Sequence, residues 1–583
     1  MPAIAGIHDS NRDTVYPSNL GTKENIEMTH SQNGSDKEAK PPDRKPHSTA
    51  KPIFTALALI VTLPLLAVAA YLLLPLLARK ADSEVGKIGL TSNEIAANGP
   101  LPGDLTLYAQ ELACQEKLKT GYYPSLNGAE IADTQRSGIF PCATFTGSYT
   151  GLNQVFAWRS QDGYQGTSYL NNRRPGEIFV VGGDTPPLSG PMPPGPYVAK
   201  ADATTGRQIW RTYLHNGNTS DAWIGNTNLN ILPNGNIVQA WSNRIVLLDP
   251  DTGLILKEKT LPTGATPAVD VNFKHVTIAP DGTLIVKNQT RPTGCTKQGT
   301  VALMVCANEY KKWGNSILLA LNPDTLEVID AIELPQPAVV PHTITNFEDK
   351  IAIYIGANSG AFRYFWDPKT KKLSQDTSWI PEVLEAGQTT PAAPSILGDW
   401  IVFQTNGILS NKKASSIVAV SAKDPTKLKR IFPFGQIKDR EVSFAPPKPQ
   451  TDPENSMIYS ADMGMGKVAG ITIDQATGEL KTKFVLDNPT SGFQPLYGQK
   501  DKRVLVISNF KSNVPELPLQ AMLATQSYKE QVTWRDASTG RVLAESDFFE
   551  PMGLNNLITP GFGGRAYYLT NKGFIVLQVL PKR

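Results

Sequence analysis

The chain has 583 residues, more than one compact unit usually needs, and its formal net charge is only +3. Lysine and arginine are spread along the chain, so no basic patch marks nucleic acid as its main partner. The 47 glycines and 46 prolines, together with many runs of Val, Ile and Thr, indicate a turn-rich all-β body.

The N-terminal part of the chain contains two contrasting segments. Residues 1–51 are polar and lack apolar periodicity, which predicts a disordered cytoplasmic tail. Residues 52–78 contain no charged side chain, and a helix of that length can cross a hydrocarbon core of roughly 30 Å. Because this run is long and far from Met1, it is predicted to be a transmembrane signal anchor, not a cleaved signal peptide. A buried core helix is the alternative, and the uniform apolarity of the run argues against it.

Positive charges flank the apolar run unequally. Those that closely precede it are Lys37, Lys40, Arg44, Lys45 and Lys51, whereas those that follow are Arg79, Lys80 and Lys87. The positive-inside rule therefore predicts a cytoplasmic N-terminus and an extracytoplasmic C-terminal domain in the cell membrane. Residues 79–150 are predicted to form an extracytoplasmic stalk or cap, with a short amphipathic helix over residues 105–118.

The four cysteines all follow the apolar run, at Cys114, Cys142, Cys295 and Cys306. An even number on one side of a membrane span indicates two disulfides in an oxidising compartment. Proximity in the sequence favours Cys114–Cys142 and Cys295–Cys306, although three pairings are formally possible. A zinc site is the competing interpretation, and the absence of any C-x-x-C pair argues against it.

Internal repetition is the strongest pattern in the remaining sequence, residues 151–583. Seven times an apolar strand leads through a polar turn into a second strand, and another pair of strands precedes each copy. The copies begin at Tyr197, Arg244, Ser316, Ala361, Ser416, Lys467 and Gln531. Asp or Asn opens most of the turns because its side chain can bond the backbone two residues on. Units of four strands and 40–70 residues are typical of the blades of a β-propeller.

The two ends of this region are predicted to complete one further blade. After the seventh unit the chain has only three more strands, and a sheet of three strands would leave an open edge. Residues 153–159, with sequence NQVFAWR, are similar to the fourth strand of the first unit, RQIWR at 207–211. The sequence therefore predicts an eight-bladed β-propeller closed by pairing both chain ends. A seven-bladed ring with a separate C-terminal sheet is the alternative.

The stretch ADATTGRQIW at 201–210 resembles the tryptophan-docking repeat of the quinoprotein alcohol dehydrogenase-like (PQQ-repeat) propellers. This resemblance covers residues 150–580 as architecture, and only the first repeat has the full motif. It implies a propeller in which a tryptophan at the end of the fourth strand packs on the next blade. The superfamily contains both PQQ-dependent dehydrogenases and non-catalytic scaffolds, so the repeat specifies a fold and not a reaction.

The resemblance also says what a quinone site would need. The dehydrogenases of the family use an adjacent Cys–Cys disulfide, aromatic rings stacked over the quinone and a Glu/Asn/Asp calcium site. The chain has no Cys–Cys pair, and no stretch can be assigned as the calcium ligands. The cofactor therefore remains open, with PQQ and calcium lacking a recognisable site.

The two faces of the predicted ring differ in their loops. The turns between the first and second strands of a blade (A–B) and between the third and fourth (C–D) are short. The long insertions are connections between the second and third strands (B–C), at residues 182–196, 290–314 and 509–530. Because loops on a rigid scaffold often carry function, the face that holds the B–C loops is the candidate binding face.

Polar residues near the starts of the innermost strands reach this same face. They are Asn228, His275, His342, Gln494 and Asn556. One interpretation is a ligand-binding ring at the channel mouth, and the other is ordinary hydrated strand starts. No catalytic residue and no metal ligand can be assigned.

The sequence leads to one hypothesis and one alternative. The leading hypothesis is a membrane-anchored, non-catalytic propeller that binds a partner protein or an envelope component. The alternative is a divergent quinoprotein-type oxidoreductase that acts outside the membrane.

Overall fold

Thirty-three β-strands provide nearly all of the regular structure in the described part of this computed structural model. The strands are grouped in eight sheets. The description covers residues 100–582 apart from 119, 161–162, 165–168, 184–194, 215–222, 224–228, 298–305, 307–311, 389–392, 406–412, 439–441, 445–447, 491–494, 552–557 and 571.

The first four blades follow one another along the chain, each with its innermost strand first. Blade 1 contains β3 (Tyr169–Asn172), β4 (Glu177–Gly182), β5 (Tyr197–Asp202) and β6 (Gln208–Tyr213). Blade 2 contains β7 (Leu229–Ile231), β8 (Ile237–Trp241), β9 (Arg244–Leu248) and β10 (Ile255–Thr260). Blade 3 contains β11 (Val271–Ile278), β12 (Leu284–Thr290), β13 (Ile317–Leu321) and β14 (Val328–Glu333). Blade 4 contains β15 (His342–Phe347), β16 (Lys350–Ala357), β17 (Gly360–Asp367) and β18 (Lys372–Asp376).

The remaining blades repeat this antiparallel order. Blade 5 contains β19 (Ser395–Leu397), β20 (Trp400–Gln404), β21 (Ile417–Ser421) and β22 (Leu428–Ile431). Blade 6 contains β23 (Gln450–Asp452), β24 (Met457–Asp462), β25 (Lys467–Ile473) and β26 (Leu480–Asp487). Blade 7 contains β27 (Leu496–Tyr497), β28 (Val504–Ser512), β29 (Tyr528–Asp536) and β30 (Val542–Glu545), and a short strand β1 (Ile139–Phe140) joins β27 in parallel. Blade 8 contains β31 (Thr559–Gly561), β32 (Arg565–Thr570), β33 (Gly573–Pro581) and β2 (Asn153–Arg159).

Blade 8 takes strands from both ends of the propeller sequence. Strand β2 pairs antiparallel with β33 over its whole length, from Asn153 opposite Pro581 to Arg159 opposite Ile575. The prediction of an eight-bladed ring closed by residues of the 150s is therefore confirmed.

Burial follows the position of each strand in its blade. Central strands such as β8 and β20 are buried at every residue because neighbouring blades cover both of their faces. The outer strand β26 instead alternates between half-buried and exposed residues.

The C–D turn of blade 1 has the predicted hydrogen bonds. Oδ1 of Asp202 accepts bonds from the backbone N–H groups of Thr204 at 3.0 Å and Thr205 at 2.7 Å.

Tryptophans of outer strands pack on glycines in the next blade, as the resemblance implies. Trp158 of β2 is 4% exposed. A methyl group added to Gly206 of blade 1 would lie 3.2 Å from its ring. Trp210 packs in the same way on Gly253 of blade 2, where the corresponding distance would be 2.6 Å. These positions must stay glycine both for the ring contact and because their φ angles are positive.

Two local predictions need correction. The predicted helix over residues 105–118 is shorter, because a single 3-10 turn (Leu105–Leu107) leads into helix α1 (Tyr108–Gln115). The predicted loop at 509–530 is also smaller, since β28 and β29 extend into it and it carries helix α2 (Leu519–Thr525). Backbone hydrogen bonds between β28 and β29 thus extend into residues that the sequence predicts to be loop.

The predicted membrane helix at 52–78 and the tail at 1–51 lie outside the described residues. In the described parts of residues 100–582, no helix combines the length and the apolarity that a membrane crossing requires.

Candidate functional site

The centre of the ring is occupied by residues 121–141, here termed the plug. On one side of the channel the plug bonds the innermost strands of blades 1 and 2. The Asn172 N–H donates to the Asn127 carbonyl at 3.1 Å, and the Ile231 N–H donates to the Gly128 carbonyl at 2.8 Å. These bonds use backbone groups at the inner edge of each blade, which an open channel would leave to water.

On the opposite side the plug bonds the innermost strands of blades 4, 6 and 7. The Ile344 N–H donates to the Thr134 carbonyl at 3.0 Å. The plug then continues as β1, which pairs in parallel with β27. The other two bonds run from the Thr451 N–H to the Ser137 carbonyl at 3.3 Å and from the Leu496 N–H to the Gly138 carbonyl at 2.9 Å. Since the innermost strands surround the channel, a segment bonded on both sides of the ring must cross it.

A disulfide fastens both ends of the plug. Cys114 in α1 is bonded to Cys142, so the whole plug lies within the closed loop. Helix α1 is itself held at the A–B turn of blade 8, where the Gly563 N–H donates to Oε2 of Glu111 at 2.7 Å. The plug therefore enters from the face that carries the A–B turns, and the face of the B–C loops lies opposite.

The second disulfide, Cys295–Cys306, also forms as predicted, in the B–C connection of blade 3. The two cysteines are 2% and 0% exposed and form a buried cluster with Trp223. Trp223 comes from the connection between blades 1 and 2, so this disulfide helps to pack neighbouring connections together.

A small cavity of about 10 Å³, room for about one water molecule, lies between the plug and the innermost strands of blades 6, 7 and 8. Asn127 and Phe140 of the plug line it, together with Gln450, Pro495 and Ile558 at strand starts. Neither Asn127 Oδ1 nor Gln450 Oε1 has a hydrogen-bond partner in the described chain. Typical small-molecule pockets measure 300–1,000 Å³, so this space is too small for a cofactor-sized ligand.

The structure describes two of the five predicted channel-mouth residues, since Asn228, Gln494 and Asn556 lie outside the described part. His275 and His342 are 2% and 0% exposed, so neither side chain presents itself to solvent at a mouth. Both lie near a third base that the sequence analysis did not identify. Lys287 is the cross-strand partner of His275 in blade 3, and its charge acts on His342 in blade 4.

His342 is an uncharged base at neutral pH. Its burial, and next the charges of Lys287 and of the plug residue Arg136, hold the pKa of His342 well below its ordinary value. Neither ring nitrogen makes a hydrogen bond of good geometry with a described residue, and the backbone of Ile285 is a weak polar contact.

Another buried base, Lys448, fastens the plug to blades 5 and 6. Its Nζ bonds the Arg136 carbonyl of the plug, Oγ of Ser395 at 2.5 Å and the Pro449 carbonyl at 3.0 Å. Burial, and next the charge of Arg136, hold the pKa of Lys448 well below its ordinary value. Sequence reasoning missed this residue because it stands among prolines in a connection, with no periodic pattern to place it.

Polar side chains of the innermost strands mainly join neighbouring blades. Nδ2 of Asn230 in blade 2 donates to the Val276 carbonyl of blade 3 at 3.1 Å. Oγ1 of Thr343 in blade 4 donates to the Pro394 carbonyl beside blade 5 at 2.6 Å. Nδ2 of Asn172 in blade 1 donates to the Pro560 carbonyl of blade 8 at 2.7 Å. The polarity of these strands thus has a structural use, independent of any ligand.

The described residues do not fit the quinone site that the family resemblance implies. The plug fills the channel, and the two disulfides join cysteines that are 28 and 11 residues apart, not adjacent. Within the described ranges no group of three His, Cys, Asp or Glu residues could hold a metal ion.

No protein-family model and no curated protein matches the chain. Among solved structures it is similar to a quinohemoprotein alcohol dehydrogenase from Comamonas testosteroni, at 11% identity and a TM-score of 0.46 over 82% of this chain and 85% of that one. It is also similar to Sqt1 of Saccharomyces cerevisiae, at 10% identity and a TM-score of 0.43 over 74% and 100% of the two chains. A computationally designed protein, Ika8, matches at 11% identity and a TM-score of 0.42 over 72% and 98%. At these identities the likeness concerns the fold alone, and the eight blades rest on the strand pairing described above.

Proposed function

We propose that this chain is a membrane-anchored, extracytoplasmic β-propeller that acts as a non-catalytic binding or assembly scaffold. The observation that carries the proposal is the plug, which occupies the axial channel and bonds the innermost strands of five blades through the backbone. With the channel occupied by the chain itself, the outer faces of the ring are the surfaces available to a ligand.

The face of the B–C loops is the proposed partner surface. The A–B face already holds helix α1 and the entry of the plug, whereas the B–C face carries the long connections. They span residues 183–196, 291–316, 405–416 and 513–527. Long connections on a rigid ring supply the area and variety that recognition of a protein or an envelope component needs.

Site-specific photocrosslinking of the full-length protein in native membranes tests which face binds. A crosslinking amino acid at Val514 or Val269, which are 43% and 64% exposed on the B–C side, should yield a discrete adduct. The same amino acid at Asn234, exposed in an A–B turn, is the matched control and should yield none. Adducts formed from Asn234 alone would contradict the proposed surface.

A redox assay separates this scaffold from the alternative of a divergent quinoprotein-type oxidoreductase. The purified full-length protein is supplied with PQQ and calcium, and reduction of an artificial electron-accepting dye is followed with alcohols and sugars. A scaffold should reduce no dye above the rate of PQQ and calcium alone. Substrate-dependent reduction by the protein would refute the non-catalytic assignment.

The membrane anchor is proposed at residues 52–78, with the N-terminus in the cytoplasm. The charge-free run and its basic N-terminal flank support this orientation, and two disulfides suit an oxidising compartment on the far side. Protease added to intact cells should digest the chain after residue 78 and leave an epitope tag at the N-terminus undigested. Protection of the C-terminal body, with digestion only in permeabilised cells, would reverse the topology.

A further inference from the structure

The plug is fastened to blade 4 right beside a buried histidine. His342 is the first residue of β15, and Ile344, two residues on, donates its N–H to the plug carbonyl of Thr134 at 3.0 Å. Next to that bond, Nε2 of Gln135 in the plug donates to Oγ1 of Thr345 at 3.0 Å. The plug and β15 are therefore joined at two consecutive residues of the strand, Ile344 and Thr345, and His342 lies two residues before the first of them.

The charged groups around His342 are mainly cationic. From blade 3, Lys287 directs its ammonium group to the carbonyls of Asn288, at 2.8 Å, and Ala338. His275 lies opposite Lys287 on the adjacent strand. From the plug comes Arg136, which is 2% exposed.

The acidic groups of the plug do not pair with His342, although Glu130 balances part of the charge of Arg136. Glu130 pairs with Arg136 at 2.5 Å, and Oδ1 and Oδ2 of Asp133 accept bonds from the Ser137 N–H at 3.0 Å and its hydroxyl at 2.5 Å. No described carboxylate lies within ion-pair distance of His342. A proton on its ring would thus add a cation to this pocket without adding a partner for it.

We propose that the plug is an acid-sensitive gate of the channel, in which protonation of His342 beside Lys287 and Arg136 loosens the plug from the innermost strand of blade 4. When the plug withdraws, Arg136 leaves with it and water reaches the protonated imidazole of His342. Both the repulsion between Arg136 and the imidazolium and the burial of that charge are then relieved. The amide groups of Ile344, Thr451 and Leu496 then lose their plug acceptors and face the channel.

The direction of the pH effect follows from the protonation of the two states. In the docked state the pKa of His342 is well below its ordinary value, whereas in the released state it returns toward about 6.5. As the pH falls below about 6.5, the released state binds a proton that the docked state does not. One proton of linkage shifts the docking equilibrium by up to about tenfold per pH unit. The contribution of His342 therefore favours docking at neutral pH and weakens on acidification.

Hydrogen exchange of the full-length protein in detergent tests the gate. Protection factors, corrected for the intrinsic effect of pH, are compared at pH 7.5 and 5.5 for the amides of Ile344, Thr451 and Leu496. Val576 in blade 8, which is paired between β2 and β32, serves as the internal reference. We expect protection to drop up to about tenfold at the plug-bonded amides and to stay constant at Val576.

Three variants test whether the pH response of plug docking comes from His342. His342→Gln should abolish the pH response, and His275→Gln should leave it intact. Should His342→Gln fail to fold, Lys287→Gln provides the second test, because it removes one repelling cation and should reduce the response. The proposal is overturned if Ile344 keeps its protection at pH 5.5 in the unaltered protein, or if Val576 loses protection in parallel. A pH response that persists in His342→Gln, or that disappears in His275→Gln, also overturns it.

Discussion

Replacing Trp158 by alanine is expected to lower the free energy of unfolding of the whole propeller by about 3–5 kcal/mol, the usual cost of deleting a large buried aromatic side chain. Trp158 is 4% exposed, and its ring packs on Gly206 of blade 1. Its strand, β2, comes from the N-terminal end of the propeller and pairs with β33 from the C-terminal end. The substitution therefore weakens the joint that closes the ring, and the loss is expected to be global.

Chemical denaturation followed by tryptophan fluorescence and by far-UV circular dichroism measures this effect. Leu152→Ala is the matched control, because Leu152 directly precedes β2 and is 76% exposed. The control should change the free energy of unfolding by less than about 0.5 kcal/mol, as surface substitutions usually do. A loss at Trp158 no larger than that of the control would show that the closure depends little on this contact.

The closure of the ring was predictable because its signals are local. Each blade can be recognised from its apolar strands and from a turn that begins with Asp or Asn. Residues 153–159, with sequence NQVFAWR, show the pattern of an outer strand, but no other strands of a blade adjoin them in the sequence. Three strands left over at the C-terminus then require a fourth, since an open sheet edge is costly. The cysteine pairs were predictable for the same reason, as each joins residues close in sequence.

The plug was not predictable in this way. Its bonds to the ring are mostly backbone bonds to Asn172, Ile231, Ile344, Thr451 and Leu496, and such bonds leave no side-chain pattern in the sequence. Its own residues show no apolar periodicity, and the sequence predicts only a stalk or cap over residues 79–150. The one available signal was the Cys114–Cys142 pair, which requires the intervening segment to return to its starting point.

The candidate channel residues illustrate a second limit on what the sequence predicts. The sequence placed polar residues at strand starts, but it could not tell a solvated mouth from a buried joint between blades. His275 and His342 proved to be buried, and Asn230 and Thr343 bond carbonyls of neighbouring blades. Distinguishing these outcomes requires knowing which blades face each other, which is a property of the closed ring and not of any one repeat.

Gly138 gives the sharpest test of the plug. Its φ angle is +73°, and a methyl group there would lie 1.5 Å from Oε1 of Gln450, which is fully buried. Gly138→Ala therefore combines left-handed backbone strain of about 1–2 kcal/mol with overpacking of about 1–3 kcal/mol. We expect the free energy of unfolding to fall by about 2–5 kcal/mol, with faster exchange of the Thr451 and Leu496 amides that bond this end of the plug.

Gly121→Ala is the matched control within the plug. Gly121 also has a positive φ, of +81°, but a methyl group there would meet no atom within 4 Å. It should therefore show only the backbone strain of about 1–2 kcal/mol, and the exchange of Thr451 and Leu496 should be unchanged. The difference between the two variants isolates the contact of the plug with blade 6. If both variants lose the same free energy of unfolding, and the Leu496 amide exchanges at the same rate in both, then the plug does not pack against Gln450 in the channel.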